Sequence, residues 1–201
     1  MAKHPPRTGT PDGTTAERVW AVSAQLFREK GYHGTTTREL AERLEMTRAS
    51  LYYYVSKKED LLYGICTEAL HHVMDAVRTA TDAESDPRER LRALIRAQLI
   101  SSLTEIDLHA TMLLNLHQLT GDQLKEVIAL RDEYEALVGG VVRDAQAAGV
   151  LRDDLALRNL ILVLLNMVNW TLTWYRPGGP LQPEEFARVI GEVYLEGATA
   201  R

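Results

Sequence analysis

The chain has 201 residues, of which 45% are hydrophobic and 25% charged, and its formal net charge is −5 at pH 7. That length suits one long domain or a small domain joined to a larger one, with apolar residues enough for a sizeable core. The single cysteine, Cys66, excludes a disulfide framework and suits a reducing compartment.

The opening MAKHPPRTGTPDG lacks the apolar run of a signal peptide. No stretch stays apolar for the ~18 residues that a membrane span needs. The expectation is therefore a cytoplasmic protein with no membrane partner. Net acidity argues against a nucleic-acid partner, but the charge is unevenly spread. Residues 1–60 hold ten Lys and Arg against eight Asp and Glu, whereas residues 61–201 hold thirteen against twenty. Phosphates would attract the first segment and repel the second, so DNA would be met by one end only.

In chain order, residues 1–13 are rich in Pro, Gly, Lys and Arg and read as a disordered arm. Lys3 and Arg7 suit a minor groove, although a loose terminus is the simpler reading. Thr14 or Thr15 starts a first helix, with Val19, Val22, Leu26 and Phe27 on one stripe and Gly31 as its stop. Thr36 or Thr37 caps a second, short helix carrying Leu40, Ala41 and Leu44. Glu45-Met46 turns the chain, and Thr47 caps a third helix from Arg48 to about Val55. This helix buries Leu51 and Val55 and displays Arg48, Ser50, Tyr52, Tyr53 and Tyr54. Two short helices joined by a tight turn, the second mostly polar, have the geometry of a helix-turn-helix reader.

Ser56 is the expected cap of a long helix reaching about Thr81, apolar at 3.6-residue spacing from Leu61 to Val77. Asp86-Pro87 opens the next. Helices follow over about 107–119, from Asp122 to Gly149, from Asp153-Asp154 to Trp174, and from Pro183 onward. The segment Leu160–Trp174 is apolar almost all round, which predicts burial on every side. The fold class is all-α, about nine helices: a helix-turn-helix domain over 14–60 and a helical bundle over 61–201.

Thr36-Thr37-Arg38 with Leu40-Ala41, Met46-Thr47 with Ser50-Leu51-Tyr52, and Tyr53-Tyr54-Val55-Ser56-Lys57-Lys58 with Leu61-Leu62 resemble the TetR family of bacterial transcriptional regulators. With the upstream helix, the resemblance covers about the first 65 residues. Two positions depart from it: Glu45 stands where the family usually has Gly, and Ala49 where Gly or Pro is frequent. The resemblance implies a homodimer on a double-stranded DNA operator, acting as a repressor released by a small molecule. The alternative is an all-α ligand-binding or scaffold protein with a vestigial helix-turn-helix.

The family's DNA contacts carry over to Thr37, Arg38, Thr47, Arg48, Ala49, Ser50, Tyr52, Tyr53, Tyr54 and Lys58. Among them, Arg48 alone has a fork suited to guanine O6 and N7 at the start of the third helix, and so is assigned specificity. Thr37, Tyr53, Tyr54 and Lys58 suit phosphates. Ser50 and Tyr52 fit either role, and Tyr52 is equally readable as core packing.

A symmetric reader pairs two half-sites. The expected pairing surface is the last two helices, through Leu160, Phe186, Val189, Ile190, Val193 and Tyr194. For an effector, the polar residues inside apolar helices are Gln98, His109, Asn115, His117, Asn166 and Asn169, with walls from Met112, Tyr134, Met167, Trp170 and Trp174. Each is also readable as a polar group satisfied by the protein itself. The run from Asn169-Trp170 to Trp174-Tyr175-Arg176-Pro177-Gly178-Gly179 resembles a TetR branch that regulates fatty-acid and sterol catabolism and responds to acyl-CoA thioesters. Such a ligand needs cations for its phosphates; Arg158 and Arg176 lie near, while Asn166 offers no charge. His71-His72, His109 and His117 lack metal-ligand spacing. No cofactor is implied, and no phosphate loop, nucleophile elbow or HExxH marks an enzyme.

Overall fold

The structure is a computed structural model that describes residues 15–198; the arm with Lys3 and Arg7 lies outside the described residues. Nine α-helices and no β-strand occur among the described residues: α1 (Thr15–Lys30), α2 (Thr37–Arg43), α3 (Arg48–Tyr54), α4 (Lys58–Asp82), α5 (Pro87–Thr104), α6 (Ile106–Asn115), α7 (Gly121–Ala147), α8 (Leu157–Trp174) and α9 (Pro183–Ala198). A single 3₁₀ turn, Leu116–Gln118, follows α6. No helix among them is long and apolar enough to cross a membrane.

Local chemistry sets the helix starts. Thr36 Oγ1 accepts the Glu39 N–H at 3.2 Å, and Thr47 Oγ1 accepts the Ser50 N–H at 3.1 Å. Asp86 Oδ1 accepts the Arg88 and Glu89 N–H groups at 3.0 Å each, with Pro87 opening α5. Each such cap stabilises its helix by roughly 0.5–2 kcal/mol. Gly31 ends α1 at φ 80, a backbone state that glycine enters without a Cβ clash.

Three local expectations are corrected. Ser56 does not cap α4; the Asp60 carboxylate reaches back instead, taking the Ser56 and Lys57 N–H groups at 2.9 and 3.0 Å. The expected helix over 107–119 stops at Asn115 and tightens into the 3₁₀ turn. α8 starts at Leu157 rather than at Asp153-Asp154, because a fork between Arg152 and Asp154 and two bonds from Gln146 Nε2 to the Arg152 and Leu155 carbonyls hold those residues as a loop. The turn between α2 and α3 is made without glycine: Glu45 takes φ 56, a conformation that costs a non-glycine residue roughly 1–2 kcal/mol.

Val19, Leu26, Phe27, Leu40, Leu44, Leu51 and Val55 form the small core of the three N-terminal helices, and Leu61, Leu62 and Ile65 of α4 continue it. Burying each such side chain contributes about 1.5–3 kcal/mol relative to exposure. α1 lies close on α4: a Cβ at Gly64 would meet the Trp20 ring at 2.8 Å. α4 then packs on α5, α6 and α7, α5 on α9, and α7 on α8. No linker separates the two regions; the expected boundary at residue 60 falls in the first turn of α4.

α8 departs most from expectation. Leu160, Leu164, Val168, Thr171 and Leu172 are buried, but Leu162, Val163, Asn166, Trp170 and Trp174 are exposed. Its apolar character all round therefore serves two faces, one inside the protomer and one outside it.

Candidate nucleic-acid interface and effector cavity

α3 hides Leu51 and turns Arg48, Ala49, Ser50, Tyr52 and Tyr53 outward. Thr47 and Ser50 hydroxyls lie 2.9 Å apart at its start. Tyr52 is 49% exposed, which settles it on the surface rather than in the core. Its hydroxyl lies 3.4 Å from that of Thr37, tying the start of α2 to α3. Tyr53 is 87% exposed and meets half-buried Tyr54 edge-on, with ring centroids 5.4 Å apart. Arg38 is held by Glu42 at 2.9 Å. Among the described residues no ion pair engages Arg48, so its guanidinium is available to a ligand.

Lys58 is placed differently from the expected phosphate contact. Its ammonium donates to the Tyr32 carbonyl at 2.6 Å and the Thr35 carbonyl at 3.2 Å, and sits 4.5 Å from the Tyr32 ring centre. Partial burial pushes its pKa down. Those partners lie 23 and 26 residues earlier in the chain, so Lys58 braces the loop between α1 and α2.

Two sets of contacts join this head to the bundle. From α6, Asp107 pairs with Arg28 at 2.7 Å, and Thr111 Oγ1 donates to the Ala24 carbonyl at 3.2 Å. At the foot of α4, Glu59 Oε1 accepts the Thr120 N–H at 2.9 Å, Gln123 donates to Asp60 at 2.9 Å, and Tyr63 donates to Glu126 at 2.5 Å.

A cavity of 160 Å³ lies inside the bundle. α4 contributes Leu70 and Val73, α5 contributes Gln98 and Ser102, and α6 contributes His109 and Met112. Tyr134 of α7 and Leu165, Asn169 and Leu172 of α8 line it too, as do Leu113 and Leu116, with exposed Arg131 and Glu135 at the rim. Gln98 Oε1, His109 Nε2 and Tyr134 Oη are buried without a hydrogen-bond partner among the described residues. Burial, helped by nearby His72, pushes His109 down to about 3 and keeps its imidazole neutral; burial also raises the Tyr134 phenol.

Of the expected effector residues, Gln98, His109, Met112 and Tyr134 meet in this cavity, as does Asn169. Asn115 instead donates to the Thr111 carbonyl, and exposed Asn166 to the Leu162 carbonyl. Met167 lines a separate apolar groove with Leu155, Val163 and Val193. Trp170 is 68% exposed, and half-exposed Trp174 packs on Phe186 at 5.1 Å. The reason is helical phase. Leu165, Asn169 and Leu172 fall at i, i+4, i+7 toward the cavity, and Asn166 and Trp170 each sit one residue, or about 100°, further round. Ser102 and Arg131 were not anticipated; the signal for Arg131 was its position three residues before Tyr134 on one helix face.

The expected pairing surface is corrected in the same way. Leu160, Phe186 and Tyr194 are buried within the protomer, where the Tyr194 hydroxyl donates to the Leu160 carbonyl at 3.1 Å. Ile190 is half-buried. Val189 and Val193 remain exposed on α9, beside the exposed stripe of α8.

Family comparison agrees with this architecture. Residues 20–64 match the family described as bacterial regulatory proteins, tetR family, and residues 84–198 match the tetracyclin repressor-like C-terminal domain. The HTH-type transcriptional repressor KstR2 of Mycolicibacterium smegmatis is 23% identical over 96% of this chain and 95% of its own length. Among solved structures, the TetR family regulator PfmR from Thermus thermophilus superposes with a TM-score of 0.84 at 32% identity, covering 92% of this chain and all of its own. AibR, solved in complex with isovaleryl coenzyme A and operator DNA, superposes with a TM-score of 0.77 at 25% identity, covering 90% of this chain and 97% of its own. An exposed polar helix-turn-helix face, joined through α4 and α6 to a bundle with an internal cavity, thus has relatives along most of its length: the chain belongs to the TetR family and is a DNA-binding transcriptional regulator.

Proposed function

We propose that the protein is a homodimeric repressor that holds a palindromic operator and releases it when a small hydrophobic effector enters the bundle cavity. The observation that carries this reading is the double duty of α6. His109 and Met112 face the cavity, while Asp107 and Thr111 grip α1. A ligand that displaces α6 shifts α1, and with it the spacing of the two reading heads. Ligand and operator then compete through linked conformations.

On the DNA side, Arg48 reads bases, and Thr37, Ser50, Tyr52 and Tyr53 fix the register on phosphates. On the protein side, the exposed faces of α8 and α9 pair two protomers about a two-fold axis.

For the effector, we propose an acyl-CoA thioester. The isovaleryl coenzyme A bound by AibR supports that class, as does the run from Asn169 to Gly179. The cavity volume of 160 Å³ sets a limit, being close to that of a cavity that holds benzene, about 150 Å³. Only a short acyl end fits at this size, with the coenzyme outside near Arg131.

The test is binding of the purified protein to DNA from its own promoter region at two salt concentrations, with and without short- and long-chain acyl-CoA. Tight, salt-dependent binding lost on adding a short-chain thioester supports the reading. Binding that every thioester leaves intact overturns the effector class and retains the regulator. If promoter DNA is not bound, genomic selection of bound fragments locates the operator for the same test.

A further inference from the structure

The inner end of the cavity carries chemistry that a bare acyl chain does not use. Gln98 is 1% exposed, His109 2% and Tyr134 9%, and each has a buried polar atom without a partner among the described residues. They come from α5, α6 and α7 and line the same space. Native interiors satisfy the great majority of such atoms, so three around one cavity mark a polar recognition surface. The donors and acceptors are specific. Gln98 Oε1 only accepts, the Tyr134 hydroxyl donates or accepts, and a neutral imidazole nitrogen does one or the other according to tautomer.

The surface is also uncharged. Burial holds the His109 imidazole neutral, and the charged residues of the cavity, Arg131 and Glu135, sit at its exposed rim with opposite signs. A carboxylate drawn inside would lose its water and meet no buried cation.

We propose that the buried end of the effector is a compact, uncharged group with both a hydrogen-bond donor and an acceptor, such as a hydroxylated carbonyl, and that ligands ending in a free carboxylate are excluded. This deepens the assignment of the cavity as the effector site and rests on it. The donor serves Gln98 Oε1, and the acceptor receives a hydrogen bond from the Tyr134 hydroxyl or the His109 N–H. A plain hydrocarbon fills the volume but leaves these atoms unpaired.

Phenol, toluene and benzoate, one ring with three chemistries and near the cavity in size, test this without knowledge of the natural effector. The readouts are the thermal midpoint at matched ligand concentrations and the His109 imidazole resonance, assigned by its loss in His109→Leu. Phenol is expected to raise the midpoint, move that resonance and bind at least about tenfold tighter than toluene, a factor of the size one or two hydrogen bonds supply. Benzoate is expected to do neither. Gln98→Met and His109→Leu, apolar replacements that leave no unpaired atom of their own, each reduce the preference for phenol over toluene.

Toluene binding as tightly as phenol, benzoate binding, or no response to any of the three overturns the proposal. Operator release by butyryl-CoA, followed on the same protein, separates the two readings. Release together with a toluene preference leaves the thioester effector standing and removes the polar end. A phenol preference without release by any thioester does the reverse.

Discussion

The Thr111 hydroxyl donates to the Ala24 carbonyl at 3.2 Å, joining α6 to α1 only two residues from the cavity-lining His109. Ala24 is fully buried in α1, the helix that braces the reading unit. With the Arg28–Asp107 pair one helical turn away on each partner, this bond fixes the head to the wall of the cavity. Thr111→Val keeps the shape and removes the donor, at a cost of about 0.5–1.5 kcal/mol in stability. The expected outcome is unchanged effector affinity, with an effector-induced loss of operator affinity that shrinks severalfold. Titrating operator with and without effector measures this, and an undiminished effector response would place the coupling elsewhere, at the Glu59–Thr120 and Asp60–Gln123 contacts.

Arg48 and Lys58, both basic and both near the DNA face, should behave differently. Arg48 is exposed and unengaged among the described residues, so Arg48→Ala is expected to relax sequence preference at one position per half-site and to cost roughly 1–3 kcal/mol of binding. Lys58 is tied to the Tyr32 and Thr35 carbonyls. Lys58→Ala is expected to lower the thermal midpoint while leaving the salt dependence of DNA binding unchanged. A salt slope shallower by about one would show that Lys58 reaches a phosphate in the complex.

These contrasts show what was legible in the sequence. The reading helices were, because Thr36, Thr47, Gly31 and the apolar spacing of Leu40, Leu44 and Leu51 act within a few residues of one another. Gln98 and His109 were legible as cavity residues because a polar group amid apolar neighbours is a local anomaly, and Tyr134 as an aromatic wall, although the same anomaly also marked Asn115 and Asn166, which bond to carbonyls of their own helices. Lys58 was not, since its partners lie more than twenty residues upstream. Nor was the facing of α8. A helix apolar on every side gives no phase, so periodicity could not tell Asn169, in the cavity wall, from Trp170, outside it.

His109 gives the fold a pH dependence with a defined sign. Its folded pKa is pushed down to about 3, below the ordinary histidine value of about 6.5. The unfolded chain therefore binds more protons between those values, and stability rises with pH across that window. The contribution of neutral His109 is complete above about pH 6.5 and is lost as pH falls toward 3, on the order of 1 kcal/mol per pH unit. Denaturant unfolding at pH 7, 6 and 5 should show this loss, and His109→Gln should flatten it. Equal slopes in the two proteins would mean that other groups carry the acid sensitivity.

The exposed face shared by α8 and α9 predicts the oligomeric state. Val163 and Val193 are 52% and 57% exposed and share one apolar groove with Met167, while Trp170 stands a helical turn or two further along α8. Contiguous apolar surface of this kind marks an association site. Leu160, Phe186 and Tyr194 are already used within the protomer, so replacing them would damage the fold rather than test pairing. Val163→Glu with Val193→Glu leaves the protomer core intact and loads the face with charge of one sign. Facing copies would bury these charges, and a buried charge without a well-placed partner costs several kcal/mol. Sedimentation should show a dimer for the unaltered protein and a monomer for the double variant, with helix content unchanged. Operator affinity should fall with it, because a monomer reads one half-site. A variant that stays dimeric at micromolar concentration would move the interface off α8 and α9. In that case Trp170, left 68% exposed among the described residues, would pack elsewhere than in a dimer built on this face.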